Sequence, residues 1–448
     1  MKENKDGFYK GLIAGAAACV VGVLCAGVIL HYYFGISVSA VPASTIAEAS
    51  EEKEEEHDGV VVDQELLDHL QLLEAYVDRD FLFDRVDEQV SKERIYKAFL
   101  DSLEDPYTCY YTTEEFNDFM ESTSGTYSGI GVMVSQNFEN YEITVIRVFE
   151  GSPAEEAGMK AGDILVGVED IDISEMELSL VVSYIKGEEG TTVNLKVFRP
   201  SENAYLDLVS ERRTIDVPTV EYEMLDNSIG YLELIEFDDV TINQYKEAIE
   251  DMKKQGMKGL IVDLRDNPGG LMDVAVDLLD YMLPEGRLLY TEDKYGEGES
   301  FYSDKEHFFD LPLVVLVNEN SASASEIFAG AIRDYDAGLI VGKQTFGKGI
   351  VQHLYSIPEG GGMKITVSRY FTPSGECIHD VGIAPDVDVD ILREEDYELD
   401  IEDRVDRQME MAVSCMNELL GIEDDADTGE DMTAGTAAEP ESEGQTEE

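Results

Sequence analysis

Between residues 229 and 391 the chain alternates short apolar, strand-like runs with helical stretches, which restricts that region to an α/β core. Its sharpest element is Leu313-Val314-Val315-Leu316-Val317, an uninterrupted apolar run of the kind a buried strand carries. Asn318-Glu319-Asn320-Ser321-Ala322-Ser323-Ala324-Ser325-Glu326 follows and leads into a helical stretch from Ile327 to Arg333. A serine at such a junction lies near a helix N-terminus, where the dipole and free N–H groups favour negative charge. Earlier in the core, Val262 to Gly270 predicts a strand running into a turn whose glycines expose backbone N–H groups. Later, Thr345-Phe346-Gly347-Lys348-Gly349-Ile350-Val351-Gln352 sets a lysine between two glycines, which permits close backbone approach, ahead of another strand.

A chain of 448 residues has room for two or three domains, and its 43% hydrophobic content is enough for sizeable cores. Residues 63–119 carry apolar residues at helical spacing (Leu66, Leu67, Leu70, Leu73, then Ile95, Phe99, Leu103), with Pro106 expected to end the helix. From about 120 to 212 the pattern changes to strands and turns, with a helix expected near 175–186 and a strand at 191–198. The α/β core spans 213–392, and a terminal helix is expected within 393–420. Residues 421–448 hold eleven acidic residues and no basic ones, which predicts a disordered tail.

The first residues suggest a membrane segment. Residues 11–30 are twenty positions without a charge, long enough to cross a bilayer as a helix. Lys2, Lys5 and Lys10 precede them, and the next Lys or Arg is Lys53. That asymmetry predicts a cytoplasmic stretch at 1–10, a single-pass anchor at 11–34 and an extracytoplasmic remainder, joined by an acidic linker at 35–62. A cleaved signal peptide is the competing reading, since Val38-Ser39-Ala40 offers a small-residue cleavage site.

Lys and Arg total 32 against 97 Asp and Glu, a formal net charge of −65 that repels nucleic acid and excludes it as a partner. Cys19 and Cys25 lie in the apolar segment, and Cys109, Cys377 and Cys415 are scattered. The spacing supports neither a disulfide framework nor a metal site, and no cofactor is expected.

Gly129-Ile130-Gly131-Val132, followed by the PAEEAG and AGD segments at 153–158 and 161–163, resembles a PDZ domain of the type found in bacterial proteases. The resemblance implies that Gly129, Ile130, Gly131 and Val132 form a carboxylate-binding loop. Glycines let N–H groups converge on an anion there, and the following strand edge pairs with an extended peptide. SASASEIFAG, FGKGIVQ and DLRDNPGG, together with LEDPYTCY, RYFTPSGECI and GIAPDVDVD, are similar to the C-terminal processing (tail-specific) serine peptidases from about residue 65 to 420. Together with the transmembrane helix expected at 11–34, that resemblance implies a multidomain α/β protein, with a helical segment and a PDZ domain inserted before a crotonase-like peptidase core. It further implies a nucleophile at Ser323, a base at Lys348, an orienting Gln352, and oxyanion donors at the N–H groups of Gly270 and Ala324. The family spacing of serine and lysine, here 348 − 323 = 25, selects Ser323 over Ser321 and Ser325. The flanking serines are then expected as helix caps.

A Ser–His mechanism through His307 or His353 is disfavoured, because His353 points to the opposite strand face from Gln352 and His307 follows a loop-like stretch. The expected partners are proteins with accessible C-termini, the membrane through the first helix, and a second copy through the 63–119 and 396–420 segments. The competing function is a membrane-anchored PDZ scaffold without catalysis. The full Ser323, Lys348 and Gln352 set speaks against it.

Overall fold

A computed structural model describes residues 62–137, 140–358, 360–392, 396 and 404–422. The expected anchor at 11–34 and nearly all of the linker and acidic tail lie outside them. No helix among the described residues is long and apolar enough to cross a membrane.

Two helices come first, α1 (Gln64–Asp80) and α2 (Glu88–Asp101), capped by the Asp63 and Asp87 side chains. The 63–119 stretch is more broken than its periodicity suggests. Helix α2 stops before Pro106, a short strand β1 (Cys109–Tyr111) follows, and α3 (Thr113–Ser124) starts from a Thr112/Glu115 capping box. Helix α1 has no buried residue, and Leu67, Leu70, Leu72 and Leu73 are exposed. Helical spacing there records amphipathicity without a covered face.

Gly125, in the left-handed conformation, ends α3 and turns the chain into β2 (Thr126–Gly129). Five strands then form one antiparallel sheet: β3 (Val132–Gln136), β4 (Ile143–Val148), β5 (Ile164–Val168), β7 (Thr192–Arg199) and β8 (Ala204–Glu211), with α4 (Pro153–Glu156) leading into β5. A two-residue β6 (Ile171–Asp172) hangs on β5, and α5 (Leu178–Ile185) closes the unit's core through Val181 and Ile185. The chain returns along β9 (Arg213–Asp216), which pairs with β2 so that Gly129 faces Arg213.

The second unit is built on a six-stranded sheet ordered β10 (Val220–Met224), β11 (Ile229–Leu234), β12 (Gly259–Asp263), β15 (Leu313–Val317), β16 (Leu339–Gly342), β19 (Val387–Asp388). All neighbours except β10–β11 are parallel. The five residues of β15 are buried because the sheet is covered on both faces. Leu313, Val315 and Val317 pack towards α6 (Thr241–Lys254), α7 (Met272–Met282) and α8 (Ala324–Asp334), while Val314 and Leu316 meet α9 (Arg407–Leu419). A smaller antiparallel sheet joins β1, β13 (Gly286–Asp293), β14 (Ser300–Ser303), β17 (Ile350–Ser356) and β18 (Gly362–Phe371).

The first unit holds a buried ion pair. Arg199 Nε and Nη2 meet the Asp163 carboxylate at 2.7 and 2.8 Å, and Nη2 also donates to the Gly158 carbonyl at 2.7 Å. Arg199→Met would strand a desolvated Asp163. We expect that to destabilise the unit by about 3–5 kcal/mol, read as a lower urea midpoint. An unchanged midpoint would mean the pair contributes nothing.

Candidate active site

Strand β15 runs out into a turn that is tied, on its far side, to the turn after β12. Ser321 Oγ donates to the Leu264 carbonyl at 2.7 Å, and Ser325 Oγ donates to the Asn267 carbonyl at 3.0 Å. These serines therefore clamp two loops together, and neither caps a helix as expected. The N-cap of α8 is Ser323 itself, held at φ 57°. Left-handed φ is unfavourable for a residue with a Cβ, and it persists where the surroundings impose it.

The Ser323 N–H is held by Glu326, a residue to which the sequence pattern assigned no role. Its fully buried carboxylate accepts four bonds. Oε2 takes the N–H groups of Ser323 (2.9 Å) and Lys348 (2.8 Å), while Oε1 takes the Gly347 N–H (2.7 Å) and the Thr345 hydroxyl (2.5 Å). The Ser323-x-x-Glu326 spacing of a capping box was the available signal. One charged group thus fixes the serine's backbone against the lysine's. Gly347, at φ 90°, meets its surroundings closely: a Cβ there would lie 3.0 Å from the Val381 nitrogen, and one at Gly349 would lie 2.5 Å from that of His379.

The Lys348 side chain is half-buried, with Nζ 4.7 Å from the centroid of the Tyr107 ring. Burial, and then the like charge of Lys364, hold its ammonium below the ordinary lysine value, against the opposing pull of Glu326 and Asp105. Tyr107 is a second residue whose role the sequence did not disclose. Its N–H donates to Asp105 at 3.1 Å, and neighbouring Thr108 is bonded both to Asp105 (2.6 Å) and to the Thr366 N–H (3.1 Å).

Ser323, Lys348, Gln352 and Gly270 line one cavity of about 270 Å³, with Ala324 buried directly behind Ser323. The turn at 268–270 packs tightly on the α8 N-terminus. A Cβ on Gly269 would meet the Ala322 carbonyl oxygen at 2.6 Å and the Ala324 nitrogen at 2.9 Å, and one on Gly270 would meet the Phe237 oxygen at 2.3 Å. Among the described residues no oxygen accepts from the Gly270 or Ala324 N–H. The Gln352 Nε2 is buried without a partner. His307 lies against Tyr281 in a tilted ring pair with centroids 5.4 Å apart, and His353 is exposed on β17; neither lines the cavity.

In the first unit the expected peptide-binding residues do not form one continuous strand. Gly129 ends β2, Ile130 is buried in the core, and Gly131 turns at φ 79° into Val132, the start of β3. A Cβ on Gly131 would lie 2.4 Å from that of Ser152, so only glycine fits. Strand β3 is the edge of its sheet, and Gln136 at its far end bonds the α5 N-terminal turn through Met176 (2.7 Å) and Leu178 (3.0 Å). Burial lifts the Tyr127 phenol above its ordinary value, and the N–H groups of Val132 and Gly131 at its oxygen act in the opposite direction.

Comparison with known proteins agrees with this division. Residues 228–389 match the profile of Peptidase family S41, and residues 144–199 match that of the PDZ domain. The carboxyl-terminal-processing protease of Synechocystis sp. is 35% identical over 306 residues, covering 66% of this chain and 71% of the relative. The carboxy-terminal processing protease CtpA of Bacillus subtilis is 36% identical over 310 residues, covering 69% and 66%. Among solved structures, the photosystem II D1 C-terminal processing protease is 29% identical, covers 72% of this chain and 88% of its own, and superposes with a TM-score of 0.43. The chain thus belongs to the C-terminal processing proteases, serine-type S41 peptidases that carry a PDZ domain.

Proposed function

We propose that this chain is a membrane-anchored, extracytoplasmic endopeptidase. In this reading the PDZ domain takes protein C-termini, and Ser323 and Lys348 cut at or near the tail. The observation that carries the reading is the Glu326 carboxylate, which joins the backbone N–H groups of Ser323 and Lys348 at the wall of one cavity. A neutral Lys348 takes the Ser323 hydroxyl proton as Oγ attacks the scissile carbonyl, then returns it to the leaving amine. The free N–H groups of Gly270 and Ala324 receive the developing oxyanion. Gln352 orients the lysine: its unpartnered amide N–H is a donor that a neutral amine can accept. The anchor is residues 11–34, and the uncovered face of α1 pairs with a second copy.

The first test is chemical. A fluorophosphonate should label the wild-type protein and leave Ser323→Ala unlabelled. Lys348→Ala and Lys348→Arg should each lose turnover by at least about a thousandfold, since a guanidinium stays charged. A Lys348→Ala enzyme that turns over normally sinks the assignment.

The second test is the pH profile. Lys364→Met removes a like charge beside Lys348, so the ammonium is less disfavoured and its pKa rises. The neutral fraction at a given pH then falls, and the acid limb of kcat/KM should move to higher pH. A shift to lower pH would contradict the electrostatics.

The third concerns tails. A peptide with a free C-terminal carboxylate should be cut faster than its amide. Because Gly129 pairs with Arg213, residues 130–212 can be replaced by a tight turn, and that variant should cut both alike. Persistence of the carboxylate preference would remove the PDZ domain from substrate capture.

A further inference from the structure

Part of the wall of the cavity that Ser323 and Lys348 line is acidic. Glu236 and Asp238 both line it, on either side of Phe237, whose backbone bridges to Gly270. Alternation along an extended segment turns Phe237 into the core and the two carboxylates the other way. Glu236 is solvent-exposed, but Asp238 is only 4% exposed, and among the described residues neither carboxylate has a hydrogen-bond or ion-pair partner. Asp238 lies in the turn into α6, two residues before the cap position, which is held by Val240. Here only its backbone serves the turn, its N–H donating to Thr241 Oγ1 at 2.9 Å and its carbonyl accepting from the Thr241 N–H at 2.9 Å, and α6 has no side-chain cap. The carboxylate is left to the cavity.

Away from Lys348 and Lys364, the remaining lining suits a positive group on an apolar stem. Ser122 and Thr123, in the last turn of α3, line the same wall, and a helix C-terminus carries partial negative charge. Phe119, Leu271 and Met272 supply apolar surface of the kind that sheathes a lysine or arginine stem. Burial pushes both carboxyls up, Asp238 to about 7, with the charges of Glu236 and Asp239 adding to it. An arriving cation would relieve that repulsion.

We propose that Glu236 and Asp238 form a subsite for a cationic side chain of the substrate, lysine or arginine, within three residues of the scissile bond. The proposal rests on the reading of Ser323 as nucleophile and adds a substrate class to it. The proximity to the bond follows from the Phe237–Gly270 bridge, because the Gly270 N–H is the proposed donor to the scissile carbonyl.

The test uses the full chain and internally quenched peptides with free C-termini, in which each of the three positions on either side of the cut carries either lysine or its uncharged isostere norleucine. At one position the wild-type enzyme should prefer lysine by about tenfold or more in kcat/KM, the scale of one charge-assisted hydrogen bond. In Glu236→Gln/Asp238→Asn that ratio should fall to about one, each enzyme's own norleucine peptide serving as reference. A wild-type measurement stands independently of the variant's folding: glutamate at the same position should be cut more slowly than glutamine. Absence of lysine preference at every position, or its survival in the double variant, overturns the proposal alone. Cleavage by Ser323→Ala equal to wild type overturns the reading of the catalytic site and the subsite with it.

Discussion

The site depends on one buried carboxylate. Taking Glu326 out of water is costly unless its oxygens are fully hydrogen-bonded, and a carboxylate can only accept. Four donors are therefore required, and three of them are backbone N–H groups from two loops that are remote in sequence. Charge-assisted bonds of this kind are about twice as strong as neutral ones. The requirement fixes the cap of α8 and the Gly347–Gly349 loop against each other to within hydrogen-bond tolerance. The strained φ of Ser323 and the crowding of Gly347 and Gly349 against the 379–382 backbone fall in these same two segments.

The parallel sheet explains why these loops meet. Strands β11, β12, β15 and β16 point the same way, so the segments after their carboxyl ends gather at one edge. These are Glu236–Asp238, Asn267–Gly270, Ser321–Ala324 and Thr345–Lys348. Open α/β sheets bind ligands at this end, and here each of the four strands contributes one wall of the cavity. The antiparallel sheet adds Gln352 and Lys364 from β17 and β18, and through β1 it brings Tyr107 to the lysine.

The strand–helix alternation of the core and the burial of Leu313–Val317 were legible because each is carried by a local pattern, whereas the grouping of Ser323, Lys348, Gln352 and Gly270 was legible only through the family resemblance. The role of Glu326 was half legible, since its spacing from Ser323 marks a capping box, whereas its bonds to Thr345, Gly347 and Lys348 span about twenty residues that no local pattern encodes. Tyr107 was hidden for the same reason. Ser321 and Ser325 show the converse failure, because proximity to a helix start suggested caps while distant carbonyls at Leu264 and Asn267 held the hydroxyls. The apolar spacing of α1 predicted a helix and could not say whether anything covers it.

The attachment of the PDZ domain can be weighed in the same terms. The chain enters it from α3 through Gly125, whose carbonyl accepts from Val217 at 2.8 Å, and the β2–β9 ladder is the only paired connection between the units among the described strands. Across the junction Lys186 pairs with Glu121 and Arg147 with Glu221 at exposed or half-exposed positions, Lys186 Nζ lies 5.3 Å from the Tyr127 ring centroid, and Ser128 Oγ donates to the Gly187 carbonyl at 2.6 Å. Such exposed ion pairs contribute about 0–1 kcal/mol each. The stalk itself is tight, since a Cβ on Gly125 would lie 2.6 Å from Val240 and 2.9 Å from the Asp238 side chain. Glu121, Ser122 and Thr123 sit within one turn of that glycine, and the last two line the catalytic cavity. The chain path into the PDZ domain therefore passes, at Gly125, directly against Asp238 of the acidic wall of the cavity.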